Sequence, residues 1–272
     1  MERFNMINPT PIIIRASSLS DLFDCPARWA AVHLEGRRMP SNGKATLGRA
    51  VHASTAVFDQ STIDGAGITI EEAASAAVDA IHKPDEDVLW EDDSPHDAEK
   101  IAVSLHKKYC TVIAPTQKYT AVEVKCERLD ITDLSIALTG TTDRVRETDD
   151  GFSICDLKTG KAAVGSDGSV KTQGHAYQMG VYELLAEQAS GVPITGAAQI
   201  IGMNTAKTDA GQRVGTGEIL DARSVLVGDS ESTGVLEMAA KLVHSGDFYG
   251  NPKSMLCHKS YCPVFQICKF RK

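Results

Sequence analysis

Two stretches rich in Val, Ile and Thr, Ile136 to Glu147 and Gly151 to Lys158, meet at the turn-forming tetrad Thr148-Asp149-Asp150-Gly151. That spacing commits the middle of the chain to a β-hairpin. Thr142-Asp143 falls in the first run and Asp156-Leu157-Lys158 ends the second. Alternate side chains of a strand share a face, so Asp156 and Lys158 point the same way. Antiparallel pairing brings Asp143 beside them. Two carboxylates and one ammonium then converge, able to hold a divalent cation and to steady a developing negative charge.

The chemistry that needs such a set is metal-assisted phosphodiester hydrolysis. It requires an activated water, a stabilised pentavalent phosphorus and a neutralised leaving group, and Mg²⁺ or Mn²⁺ on carboxylates serves these needs. Mg²⁺ keeps several waters and takes only one or two protein carboxylates. Asp143 and Asp156 fill that role, with the Leu157 backbone carbonyl as a further ligand. Lys158 either orients and deprotonates the water or neutralises the scissile phosphate. The plain alternative is a surface hairpin carrying an exposed Asp–Lys ion pair. Glu123, on the preceding strand, reads as a structural neighbour of the site rather than a ligand.

Upstream, a capping box at Ser18-Leu19-Ser20-Asp21 predicts a short helix, and Pro26 opens another that runs to about His33. Ala45 to Asp59 is helical, with Gly48 and His52 one turn apart on a shared face. A turn near Asp64-Gly65-Ala66-Gly67 leads to an alanine-rich helix over Ile70–His82. Helical periodicity returns from Asp97 to about Ile113, where Pro115 stops it. Strands are predicted from Tyr119 to Arg128, Ala197 to Met203 and Gly215 to Leu220. Thr159 to Val170 reads as a mobile loop. Thr172 to Ser190 is a helix closed by Gly191 and Pro193, and it sets the Gln178 amide one turn before the Tyr182 phenol. Ser232 to Ser245 is the last helix. His52 and Tyr182 each have a plain reading as core side chains.

The net charge of −8 speaks against a nucleic-acid partner until its distribution is considered. Eight acidic residues and no Lys or Arg lie between Asp85 and Glu99; without them 28 acids face 28 bases. The tail from Pro252 to Lys272 holds five Lys or Arg and no acid. Local basic surface is what phosphates need, so the total decides nothing. No apolar run reaches membrane-spanning length, and Met1 to Pro11 lacks the layout of a leader peptide. A cytoplasmic protein without membrane contact is expected, built as one domain over residues 1–272.

Seven cysteines in such a chain are ligands or buried thiols rather than disulfides. Cys110, Cys126 and Cys155 lie in apolar or strand-like stretches and read as buried thiols. Cys25 stands far from Cys257, Cys262 and Cys268. These four thiolates suit a [4Fe–4S] cluster or zinc, with an unliganded reduced set as the third option and His258 as an alternative ligand.

Taken in order, Cys25-Pro26-Ala27-Arg28-Trp29, Gly48 to His52, Gly140-Thr141-Thr142-Asp143, Asp156-Leu157-Lys158-Thr159-Gly160, Gln178 to Tyr182 and the terminal cysteines form one pattern. It resembles the RecB-like branch of the PD-(D/E)xK nuclease superfamily, and within it the exonucleases that carry an iron–sulfur cluster, known from helicase–nuclease complexes, CRISPR adaptation modules and phages. The resemblance covers nearly the whole chain. It implies a restriction-endonuclease-like α/β core, a mixed central sheet flanked by helices, with the N- and C-terminal segments joined by a cysteine-ligated cluster. It implies that His52, Asp143, Asp156 and the Leu157 carbonyl bind Mg²⁺ or Mn²⁺, that Lys158 is catalytic, and that Gln178 and Tyr182 contact DNA or buttress the site. It assigns Cys25, Cys257, Cys262 and Cys268 to a [4Fe–4S] cluster, ahead of zinc. Two departures are visible: Thr142 stands where proline is common, and four residues rather than two separate Cys257 from Cys262.

The activity so implied is exonucleolytic cleavage of linear DNA, its end entering a cleft bordered by Lys158, Lys161, Lys171 and the basic tail. The setting would be recombination, repair or phage DNA processing in a bacterial or phage-infected cell. With no helicase P-loop in the chain, a helicase, recombinase or single-strand-binding protein is the implied partner. The alternatives are a structure-specific endonuclease and an inactive DNA-binding or scaffolding subunit.

Overall fold

The computed structural model describes residues 10–91 and 93–271. Most of the segment examined for a leader, together with Asp92 of the acidic stretch and Lys272 of the basic tail, lies outside the described residues. The chain opens with strand β1 (Ile12–Arg15) and short helices α1 (Leu19–Asp24) and α2 (Pro26–His33). Two-residue strand β2 (Ser41–Asn42) leads into the long helix α3 (Gly43–Asp64), followed by α4 (Ile70–His82), strand β3 (Val88–Leu89) and α5 (Pro95–Lys108). Then come β4 (Tyr119–Ile131), β5 (Ile136–Thr148), β6 (Gly151–Thr159), α6 (Ala176–Ser190), β7 (Ala198–Met203), β8 (Val214–Ile219) and α7 (Val235–Ser245).

The expected hairpin is present. Thr148 pairs with Gly151 across a two-residue turn, and the β5–β6 ladder runs from there to Arg144–Cys155. β4 lies antiparallel along one edge of β5. The other edge is shared. Parallel β1 occupies Ile136–Thr139 and β6 occupies Arg144–Thr148, so Gly140 to Asp143 face an opening between them. Beyond Cys155, β6 diverges to pair with parallel β7, the two joined through α6, and antiparallel β8 closes the sheet. The result is the mixed α/β architecture expected.

Each face of the sheet is covered by its own apolar cluster. Val145, Ile154 and Ile200 meet Tyr182, Leu185 and the residues of α1, α2 and α7 on one face. Cys155, Leu157 and Ile201 meet Leu47, Val51, Leu105 and Tyr109 of the α3–α5 side on the other. The chain ends are tied together directly. Ala27 N–H donates to the Tyr249 carbonyl at 3.0 Å, and the Asn251 amide donates to the Asp24 carbonyl at 2.9 Å.

Several local expectations are corrected. Ser18 forms no capping box; its hydroxyl donates to the Arg15 carbonyl and accepts the Trp29 indole N–H. Tertiary contact outcompetes the local cap there. The capping box lies instead at Thr69 and Glu72, before α4. Helix α3 begins at Gly43 because Asn42 caps the Ala45 N–H, and it continues to Asp64. Helix α6 begins only at Ala176, after Gly174 takes a φ of +88° that no helix accommodates. Thr159 to Val170, expected as a mobile loop, is held by several contacts. The Asn204 amide donates to the carbonyls of Lys161 and Val164, and Val164 bridges Val170 as a small folded hairpin.

Candidate metal centre

The opening in the β5 edge is where the chemistry-bearing residues meet. Past Cys155 the Leu157 N–H has left β5, and the Asp143 carboxylate accepts it at 2.7 Å. A side chain thus replaces a ladder bond, and Asp143 is fixed by the divergence of the strands. His52, from α3, reaches the same carboxylate oxygen, with Nδ1 3.5 Å away. Gly48, one turn earlier, lets that helix come close to β6: a Cβ there would lie 2.9 Å from the Thr159 hydroxyl.

Asp156 lies next to this pair and is only 2 % exposed. The Lys158 ammonium forms an ion pair with its Oδ2, as the shared strand face requires. Gln178 donates from its amide to Asp156 Oδ1 at 3.4 Å and to the Tyr182 hydroxyl at 3.0 Å. Both are buried. Gly140 makes room for this: a Cβ on it would sit 2.8 Å from the Tyr182 ring.

Glu123, expected as a structural or outer neighbour of the site rather than a ligand, stands among the candidate ligands. The β4–β5 register, Val122 with Arg144 and Val124 with Thr142, sets it opposite Asp143. Its carboxylate, His52 and Asp143 place ligand atoms all within 4.8 Å of one another. Glu123 adopts φ +50°, a left-handed backbone that costs a non-glycine residue of order 1–3 kcal/mol and that concentrates at functional sites. Arg144, fully buried, is the other residue missed from sequence. Its guanidinium donates to the Asp143 carbonyl at 2.7 Å, pairs with Asp59 at 2.7 Å and faces Glu123 at 3.5 Å. Leu157 engages the centre through its N–H, and its side chain belongs to the core.

The electrostatics describe a site crowded with carboxylates. Burial drives the Asp156 pKa up to about 6, with Asp143 adding to the rise and Lys158 opposing it. Asp143 is also penalised by burial, yet His52, the Leu157 N–H and Lys158 hold it below the usual carboxylate value. Burial lowers the His52 pKa, but the Asp143 charge and hydrogen bond outweigh that and raise it. Asp156 Oδ2 is buried against the Lys158 ammonium. Buried carboxylates beside an imidazole form a donor set that fits a divalent cation.

The cysteines assigned together do gather. Cys25, Cys257, Cys262 and Cys268 line one small recess with Val264, Phe265 and Phe270. Cys25 and Cys262 are buried, and Cys257 and Cys268 half-buried. Burial raises the Cys262 thiol pKa, and Cys25 and Cys268 add to it. Cys110, Cys126 and Cys155 are buried thiols, as expected.

Comparison with curated proteins yields no match. A family model described as the PD-(D/E)XK nuclease superfamily matches residues 15–269, a span that includes His52, Glu123, Asp143, Asp156 and Lys158. Together with the mixed sheet and its carboxylate centre, this shows that the chain belongs to the PD-(D/E)XK nuclease superfamily, whose members are metal-dependent nucleases.

Proposed function

We propose that this protein is a Mg²⁺- or Mn²⁺-dependent deoxyribonuclease that works as one domain and degrades linear DNA from an end. The observation that carries the reading is the convergence of Asp143, Asp156, His52 and Lys158 at the opened β5 edge. His52, Asp143, Asp156 and the Leu157 carbonyl would hold the cation, with Glu123 added to the set on its position. When bound, such an ion supplies Lewis-acid polarisation of the phosphate and a more acidic water. The protein's own groups do the rest. Lys158 presents an ammonium to the scissile phosphate or the attacking water. Gln178 and Tyr182 hold Asp156 in place, and Arg144 anchors the backbone of Asp143 from beneath.

The same reading gives Cys25, Cys257, Cys262 and Cys268 to a structural [4Fe–4S] cluster. The four thiols share one recess with Val264, Phe265 and Phe270, which supports a common ligand there. The setting that fits is processing of DNA ends in recombination, repair or phage replication.

Linear and circular DNA incubated with Mg²⁺, Mn²⁺ or EDTA provide the test. Metal-dependent loss of the linear form alone is expected, abolished in Asp156→Ala and Lys158→Ala proteins whose circular dichroism is unchanged. Full activity of either variant would overturn the assignment. Cleavage of the circle would make the enzyme an endonuclease, and binding without cleavage would make it a scaffold.

A further inference from the structure

The metal centre adjoins two further hollows. Lys44, His52, Glu123 and Lys158 border the hollow at the centre. Lys44 and Lys158 also border a second hollow, together with Lys161, Lys171 and Lys207. Lys44, Lys161 and Lys207 border a third, which ends against the cysteine-bearing tail. Shared lining residues, Lys44 in all three, set the hollows side by side.

The lining has two unusual properties. First, the outer two hollows gather six lysines, Lys259 being the sixth, against Glu91, Asp93 and Asp97, in a chain whose net charge is −8. Among the described residues, Lys44, Lys161, Lys171, Lys207 and Lys259 form no ion pair, although sixteen pairs occur elsewhere and at the centre. The field is felt by His175 on the wall, whose pKa falls to about 4, through burial first and then Lys158 and Lys171. Second, apolar groups are left in the open among these charges. Met255 is 93 % exposed, Leu89 51 % and Tyr261 40 %.

Cationic walls interleaved with open aromatic and apolar faces suit a nucleic-acid strand whose bases are unpaired. Phosphates take the lysines, and base faces take the rings. A duplex hides its base faces in the stack and gains nothing from the rings along its length. We propose that the hollows form a track for a single DNA strand, leading from an aromatic mouth at the tail to the metal centre. The four residues between Cys257 and Cys262, His258 to Tyr261, all line the mouth. The cysteine-rich tail therefore builds one end of the track as well as tying the chain ends together. This deepens the nuclease reading and takes from it that the ligand is DNA.

The test measures binding in EDTA, so that cleavage plays no part. Fluorescence anisotropy would compare a labelled single strand with a blunt duplex of equal length. The single strand should bind more tightly. Tyr261→Ala should weaken it about tenfold, the scale of one lost base–aromatic stack, and Tyr261→Phe should restore it. Lys207→Ala with Lys259→Ala should weaken it by a similar factor and reduce its salt dependence. Equal or tighter binding of the duplex, or single-strand affinity unmoved by these variants, would overturn the track. Selective strand binding by a protein that cleaves no DNA with Mg²⁺ or Mn²⁺ would support the track and refute the nuclease reading.

Discussion

Glu123 and Arg144 show what one residue at this centre costs and secures. Glu123 holds a backbone that glycine would adopt freely. Glu123→Gly should therefore leave the melting temperature unchanged or raised, since relief of about 1 kcal/mol of strain offsets the entropy of the added glycine. Metal-dependent cleavage by the same variant should fall about tenfold or more. Arg144 is buried with Asp59 as its ion-pair partner. Burial already raises the Asp59 pKa against the pull of Arg144 and Tyr109. Arg144→Leu leaves that carboxylate unpaired and should cost about 3–5 kcal/mol in urea unfolding, with Asp59→Asn recovering part of it. Asp143, Asp156 and Lys158 were legible because period-2 geometry and a two-residue turn fix their faces. Glu123 was not, because its position depends on the register of a third strand that a local reading does not set.

At the scale of elements, helices α2 and α4 fall where sequence places them, since proline at the first turn and an unbroken alanine-rich run are strong local signals. The start of α6 and the fold of the Thr159–Val170 hairpin were hidden. Gly174 and the Asn204 amide act through backbone conformation and distant contact. Helix α6 also carries a pH-sensitive contact. Glu183 is buried beside Arg223, and burial raises its pKa to about 7, with Arg223 opposing. A carboxyl whose folded pKa is raised stabilises fully below its ordinary value of about 4.5 and loses that contribution as pH climbs through about 7. The urea midpoint should therefore fall between pH 5 and pH 8, and Glu183→Gln should flatten that fall.

For the molecule as a whole, the α/β class was readable from the order of its elements, and the gathering of the distant cysteines followed from the family resemblance. The sharing of one β5 edge by β1 and β6 was not, because it pairs Ile12–Arg15 with residues far along the chain. The join between the chain ends is testable as a unit. On the proposed cluster, an anaerobic preparation should be brown, and Cys268→Ser or exposure to oxidant should bleach it and lower the melting temperature by about 5 °C or more, because a ligand bound only by the folded state stabilises it. The shared edge has a further consequence during synthesis. β1 leaves the ribosome first and cannot pair until Ile136–Thr139 follow, while the β5–β6 hairpin needs only itself. The opening that gathers the carboxylates also needs α3 from before it and α6 from after it. A nascent chain can thus form the hairpin without the centre. Cutting ability arrives late, when both halves of that edge are filled.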